Sequence, residues 1–369
     1  MDTKIFRCII NMTIILVAFT FISCDNKKNT QEEKEFTKAQ ASYDKNGMDG
    51  FCKYIEKNTY FTIKDFSQHD ATPLLIAIKD GDLEKVKLFI EKGASVEEKD
   101  STGKDFFDYA VYNSRIEVID FAISKMPVSY WNVTDSEGNL PLIKLLEHNA
   151  DFSIIQKCID LTNDINHINT NNKTILMYAA QCSFDVRTVK YLLDKGANID
   201  IKNSNEWTAL MYAARYNPNP AVMEDLILRG ANSEPNSVGL TVTMLASCNP
   251  NPGVLLTLLK YKNEINSVTD NGKTALMYAC ENNQNAAVIK MLIDNGANLN
   301  ARDSNGKTVR DYLSENTSLT TTDMAVAWKT LEENASADSK KNNIDEDNET
   351  LTAEESITAE GNIETEKED

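Results

Sequence analysis

Residues 270–303 read DNGKTALMYACENNQNAAVIKMLIDNGANLNARD, and the heptad TALMYAC at 274–280 nearly repeats TALMYAA at 208–214. The stretch divides into a few recognisable elements. Asp270-Asn271-Gly272 is a tight-turn signal. Thr274 stands where a helix N-cap hydroxyl is useful. A short helix is predicted from Ala275 to Cys280, with Ala279 small enough for a neighbouring helix to approach closely. Asn282 and Asn283 break it. A second helix is predicted from Ala286 to Asp294, with Val288, Ile289, Leu292 and Ile293 on its core side. Gly296 can take the positive φ that ends it.

The unit recurs along the chain. Its threonine stands at Thr72, Thr174, Thr208, Thr241, Thr274 and Thr308, in steps of 102, 34, 33, 33 and 34 residues. A Gly-Ala pair follows in the same phase at 93–94, 196–197, 230–231 and 296–297. A fixed period near 33 residues marks a solenoid. One helix pair cannot bury its apolar side alone, so several must stack.

The pattern resembles the ankyrin repeat, whose consensus opens on Thr-Pro-Leu-His and closes on Gly-Ala. ATPLLIAIKDGDLEKVKLFIEKGAS at 71–95 fits it best of the units, with Thr72, Pro73, Leu74, Ala77, Gly81, Val86, Gly93 and Ala94 in place. The units beginning at Lys173, Trp207 and Leu240 follow in phase, and degenerate units fit 103–135 and 136–168. GFCKYIEKN at 50–58 resembles a lone second helix acting as an N-terminal cap; 305–313 and 321–334 resemble a C-terminal cap. The resemblance implies an all-α repeat solenoid of about seven or eight units over 46–334, stacked as helix-turn-helix pairs with short β-hairpin-like loops.

Two departures from the consensus stand out. The family's histidine is replaced by Leu75, Met177, Met211, Met244 and Met277. Its imidazole ties one turn to the next, so stacking is expected with somewhat looser coupling between loops, a flexible apolar side chain filling the space. Two adjacent units also carry Asn-Pro-Asn-Pro between their helices, at 217–220 and 249–252. The prolines forbid helix continuation and separate the two helices.

The ends differ from the middle. Lys4 and Arg7 precede an apolar stretch from Cys8 to Ile22, then Ser23-Cys24. This is the layout of an export signal. At 1.5 Å per residue the stretch spans roughly 22 Å, short of the ~30 Å hydrocarbon core. Residues 21–24 resemble the lipobox of bacterial lipoproteins, which implies lipidation at Cys24 and attachment to the cell-envelope membrane; Phe21 departs from the usual leucine. An uncleaved signal anchor and simple secretion are the alternatives. Residues 25–45 are polar and charged, and are expected to form a flexible tether. Residues 335–369 carry 12 acidic and 3 basic side chains, half of the chain's net charge of −18, and are expected to be a disordered acidic tail.

That acidity argues against nucleic acid as a partner, since gripping phosphate backbones takes a basic stripe. The three histidines, His69, His148 and His167, stand at no catalytic or metal-binding spacing. Cys52, Cys158, Cys182, Cys248 and Cys280 form no close pair. Cys248 and Cys280 fall near the ends of adjacent first helices, ~8–10 Å apart when packed, beyond the ~7 Å a disulfide spans. No phosphate loop or nucleophile elbow appears. No catalytic residue, cofactor, metal or small-molecule substrate is assigned, and the chain is read as no enzyme.

The resemblance implies a protein partner, bound through hairpin tips and the concave row of first helices. Trp207 is the sharpest oddity, standing immediately before Thr208 where Lys173, Lys273 and Lys307 stand in sister units. Aromatic anchors are enriched at binding hot spots, although packing onto a neighbouring turn would also explain a tryptophan here. Arg215 and Tyr216 end the same unit's first helix. The candidate binding residues are therefore Trp207, Arg215, Tyr216, Lys173 and Lys273. Tyr178, Tyr212 and Tyr278, at constant phase, are expected to be inter-repeat core. The leading expectation is a lipid-anchored envelope protein that binds another protein; the alternative is a secreted effector or toxin-type protein using the array to target a host or competitor protein.

Overall fold

The computed structural model describes residues 29–57, 72–261 and 264–334, all helices and turns. The N-terminal apolar stretch with Cys24, His69 and the 335–369 tail lie outside them. The chain divides into two compact units between Pro127 and Val128. The division falls where the Gly-Ala connection is missing and Met126-Pro127 leads into a 3-10 turn over Val128–Asn132.

The first unit begins with α1 (Asn29–Lys57), bent at Gly47, whose φ is 62°. Residues 29–45 are thus helical, where the composition predicts an irregular tether. Glu, Lys, Gln and Ala are strong helix formers, and no Gly or Pro interrupts them before Gly47. The two arms meet: Ser42 Oγ donates to the Gly50 carbonyl at 2.7 Å, and Tyr43 stands edge-on to Phe51. A Cβ on Gly50 would lie 2.3 Å from the Ser42 carbonyl oxygen, so only glycine fits. Phe51 and Ile55 are buried, and Phe51 packs on Phe89 of α3 (Leu83–Glu91). Lys85 of α3 bridges Asp49 at 2.8 Å. The second arm of α1 is the N-terminal cap of this unit. The pairs α2 (Pro73–Asp80) with α3 and α4 (Phe106–Asn113) with α5 (Ile116–Lys125) complete it.

The second unit opens on the 3-10 turn, which buries Trp131 beside α6 (Pro141–Glu147) and α7 (Phe152–Leu161). There follow α8 (Ile175–Cys182) and α9 (Val186–Asp194), α10 (Ala209–Tyr216) and α11 (Pro220–Leu228), α12 (Val242–Ser247) and α13 (Pro252–Leu259), α14 (Ala275–Asn282) and α15 (Ala286–Asp294). α16 (Val309–Glu315) and a last helix over 321–334, α17, close the row. First helices α6, α8, α10, α12, α14 and α16 stack in sequence, as do second helices α7, α9, α11, α13 and α15. First helices are the core: all six residues of α12 are buried.

The repeated threonine caps as expected. Thr174, Thr208, Thr241 and Thr274 accept from the backbone N–H three residues on, at 3.2–3.4 Å. That N–H belongs to the methionine in the histidine's place. The four methionines are buried, and the thioethers of Met177 and Met244 accept from the backbone N–H of Thr174 and Thr241.

The loops are not loosely coupled, contrary to what loss of the histidine predicts. Asparagine amides replace it at a different place. Asn217 Nδ2 donates to the carbonyls of Ala180 and Ser183 in the preceding repeat, at 2.9 and 2.8 Å. Asn249 reaches Ala214 and Asn217, Asn283 reaches Ser247 and Asn249, and Asn316 reaches Cys280 and Asn283. All four asparagines are buried. A parallel row runs alongside: Asn219, Asn251 and Asn285 donate to the carbonyls of Phe184, Pro218 and Pro250, while their Oδ1 atoms cap the second helices. The Asn-Pro-Asn-Pro loops therefore link repeats as well as separating helices.

Two substitutions test this account by urea unfolding. Asn249→Ala strands two buried carbonyls and is expected to destabilise the protein by roughly 3 kcal/mol. Thr188 Oγ1 in α9 is buried with no hydrogen-bond partner, so the near-isosteric Thr188→Val is expected to stabilise by about 1 kcal/mol.

Candidate protein-interaction face

Each first helix from α8 to α16 carries three positions in fixed phase beside its capping threonine. One stands just before the threonine, one four residues after it, and one seven after it. In successive repeats they read Lys173-Tyr178-Gln181, Trp207-Tyr212-Arg215, Leu240-Leu245-Cys248, Lys273-Tyr278-Glu281 and Lys307-Tyr312-Glu315. The first two change together. Where Leu240 replaces the cation or indole, Leu245 replaces the tyrosine.

The geometry explains the coupling. Lys173 Nζ lies over the ring of its own Tyr178, 3.6 Å from the centroid, and 4.6 Å from that of Tyr212 in the next repeat. Lys273 sits likewise over Tyr278 at 5.0 Å and Tyr312 at 4.5 Å. A cation on a ring face is attracted by its quadrupole, by about 0.5–2 kcal/mol depending on desolvation. Burial pushes the Lys173 ammonium below its usual pKa. The tyrosine hydroxyls are anchored in turn: Asn169 Nδ2 donates to Tyr178 Oη at 3.1 Å, Asn203 Nδ2 to Tyr212 Oη at 2.9 Å, and Tyr312 Oη donates to Asp303 at 2.6 Å. The tyrosine stripe is thus inter-repeat packing, but it forms the wall of a polar, cation-bearing face rather than a purely apolar core.

Trp207 is half-buried. It packs on its own helix, edge-on to Tyr212 at 5.3 Å and tilted over Tyr216 at 6.2 Å. Tyr216 is 49% exposed. Arg215 lies over the Tyr216 ring at 5.2 Å and donates from Nη1 to the Cys248 carbonyl at 3.0 Å. Lys173, Tyr212, Trp207, Tyr216 and Arg215 consequently form one continuous patch. Lys273 lies apart from it, beyond the Leu240-Leu245-Cys248 repeat. Phase alone marked Trp207, Arg215 and the lysines; the tyrosines' part in the patch was readable only from the joint change of Leu240 with Leu245.

The remaining candidates have structural partners. His148 Nδ1 contacts the Lys144 carbonyl and His167 Nε2 the Gly138 carbonyl. Cys52, Cys158, Cys248 and Cys280 are buried. Desolvation pushes the Cys248 thiol up to about 11 and Cys280 to about 12. Among the described residues no group of three His, Cys, Asp or Glu side chains is arranged to hold a metal, and no helix is long and apolar enough to cross a membrane.

Sequence models of the ankyrin repeats family match residues 136–237, 216–303, 243–321 and 74–123. With the stacked helix pairs and their caps, these place the chain in the ankyrin repeat family. Arrays of this family are typically non-catalytic modules that bind other proteins. An ankyrin repeat protein of Rickettsia bellii (strain RML369-C) is 33% identical over 159 residues, 42% of this chain and 21% of the relative. Alpha-latroinsectotoxin-Lt1a of Latrodectus tredecimguttatus is 29% identical over 104 residues, 28% of this chain and 7% of the toxin. The chain thus covers only a small part of either relative. A chain in the structure of the Bd0816 predatory endopeptidase from Bdellovibrio bacteriovorus, in complex with immunity protein Bd3460, is 28% identical. The match covers 55% of this chain and 99% of that one, with a TM-score of 0.42.

Thiol burial gives a direct check on the packing of this face. Cys248 and Cys280 should resist a neutral thiol reagent in the native protein at pH 8 and react only on unfolding, because the reactive thiolate is suppressed. Rapid native labelling at either position, read by mass spectrometry, would contradict the structure.

Proposed function

We propose that this protein is a lipid-anchored component of a bacterial cell envelope that captures another protein on the first-helix face of its second unit. The observation that carries the reading is the patch from Lys173 to Arg215. It joins half-buried and exposed aromatic rings to charged groups on a stack of helices whose loops are tied together. Such a surface is ordered before binding, which lowers the entropic cost of association. Tryptophan, tyrosine and arginine are the residue types that dominate binding energy at protein interfaces. Attachment rests on residues 21–24 and the apolar stretch before them, with Cys24 as the lipidated residue. The helical arms of α1 would then stand between the anchor and the repeats.

Crosslinking in intact envelopes, followed by affinity capture, tests location and recognition together. Trp207→Ala is expected to weaken capture of the crosslinked partner by about 30-fold, the loss of a strong hot spot, while the urea midpoint stays within error. Unchanged capture would remove this face from recognition. Cys24→Ser is expected to abolish lipid labelling and release the protein from membranes; a variant that still fractionates with membranes would refute the anchor.

A further inference from the structure

The third position of each triplet sets the charge of the face. Lys273 is closed onto Glu281 at 2.7 Å, and Lys307 onto Glu315 at 2.8 Å. These two cations are neutralised inside their own repeats. Lys173 has Gln181 at the corresponding position, and its ammonium donates to the neutral amide oxygen at 2.5 Å. In the next repeat the third position is itself a cation, Arg215, which donates to the neutral Cys248 carbonyl. Among the described residues no carboxylate lies within 4 Å of the charged group of either Lys173 or Arg215. A chain of net charge −18 therefore leaves two neighbouring cations outside any ion pair, Glu147 acting on Lys173 only from beyond that distance, on either side of half-buried and exposed aromatic rings, while closing off the equivalent lysines further along.

Leaving a partly desolvated cation unpaired is unfavourable unless something arrives to pair it. We propose that the patch from Lys173 to Arg215 receives an acidic segment of the partner protein. Its carboxylates pair with Lys173 and Arg215, and its apolar side chains lie on Trp207 and Tyr216. This deepens the proposed function and rests on it. The ring faces suit a peptide carrying both carboxylates and apolar groups. A polyanion such as nucleic acid would meet the repulsion of the whole acidic chain, and the patch offers it two cations.

The test uses the full chain and fluorescein-labelled octapeptides in which leucine alternates with Glu, Gln or Lys, measured by fluorescence anisotropy at low salt. The Glu peptide is expected to bind about tenfold more tightly than the Gln peptide, with the Lys peptide weakest, and to lose that advantage in high salt. Gln181→Glu supplies Lys173 with the internal carboxylate that Lys273 already has. It is expected to reduce Glu-peptide binding about tenfold without altering the unfolding midpoint, and Arg215→Gln to do the same. Equal binding of Glu and Gln peptides, binding unaffected by both substitutions, or equally tight binding of an oligothymidylate would overturn the proposal. The two readings fail separately. If Trp207→Ala leaves capture of the envelope partner intact, the face is not the recognition surface. If that substitution abolishes capture while Gln181→Glu and Arg215→Gln leave it unchanged, the face stands and the acidic preference falls.

Discussion

Stacking one helix pair on the next buries carbonyl groups at the end of each first helix from α8 to α14, and an asparagine amide from the following repeat satisfies them. This is the constraint on which the second unit depends. A buried carbonyl without a donor costs on the order of 1–3 kcal/mol, so a period that buries two per repeat needs a donor with two N–H groups at one fixed place. Asn217, Asn249, Asn283 and Asn316 are those donors. Because each bonds across to the repeat before it, no repeat is structurally independent of its neighbour. The methionines in the histidine's place can be apolar because the coupling has moved to these loops.

The same stacking sets the geometry of the lysine-tyrosine face. First helices brought side by side put the lysine of one repeat within reach of the tyrosine of the next, as Lys173 reaches Tyr212 and Lys273 reaches Tyr312. A lysine so placed is partly desolvated, and its charge must be met by something. Glu281 and Glu315 meet it at one end of the row; Gln181 and Arg215 do not at the other. A face built from a uniform period is thus made non-uniform by one position per repeat. The Leu240-Leu245-Cys248 repeat separates the two regimes with an apolar step.

Much of the fold was legible along the chain, because period, capping threonine and Gly-Ala closure are local signals that recur. The helical run of 29–45 was missed because few apolar residues mark it; its helicity follows from propensity and from Tyr43 meeting Phe51 across the bend at Gly47. Trp131 was missed because it lies in a degenerate repeat with no phase to read. The asparagines were visible as Asn-Pro-Asn-Pro, yet their bonding was not, since each donates to carbonyls 32 to 37 residues away. The candidate site was half legible: Trp207 stood out by breaking a lysine pattern, but its packing on Tyr212 and Tyr216 did not.

By itself the sequence determined that this chain builds stacked helix pairs of the ankyrin type, because cap, apolar spacing and closing glycine act within one repeat. Only the tertiary structure decided which cations are paired and which rings are covered. Those outcomes depend on groups one repeat apart, whose distance is set by the stacking of helices and not by position along the chain.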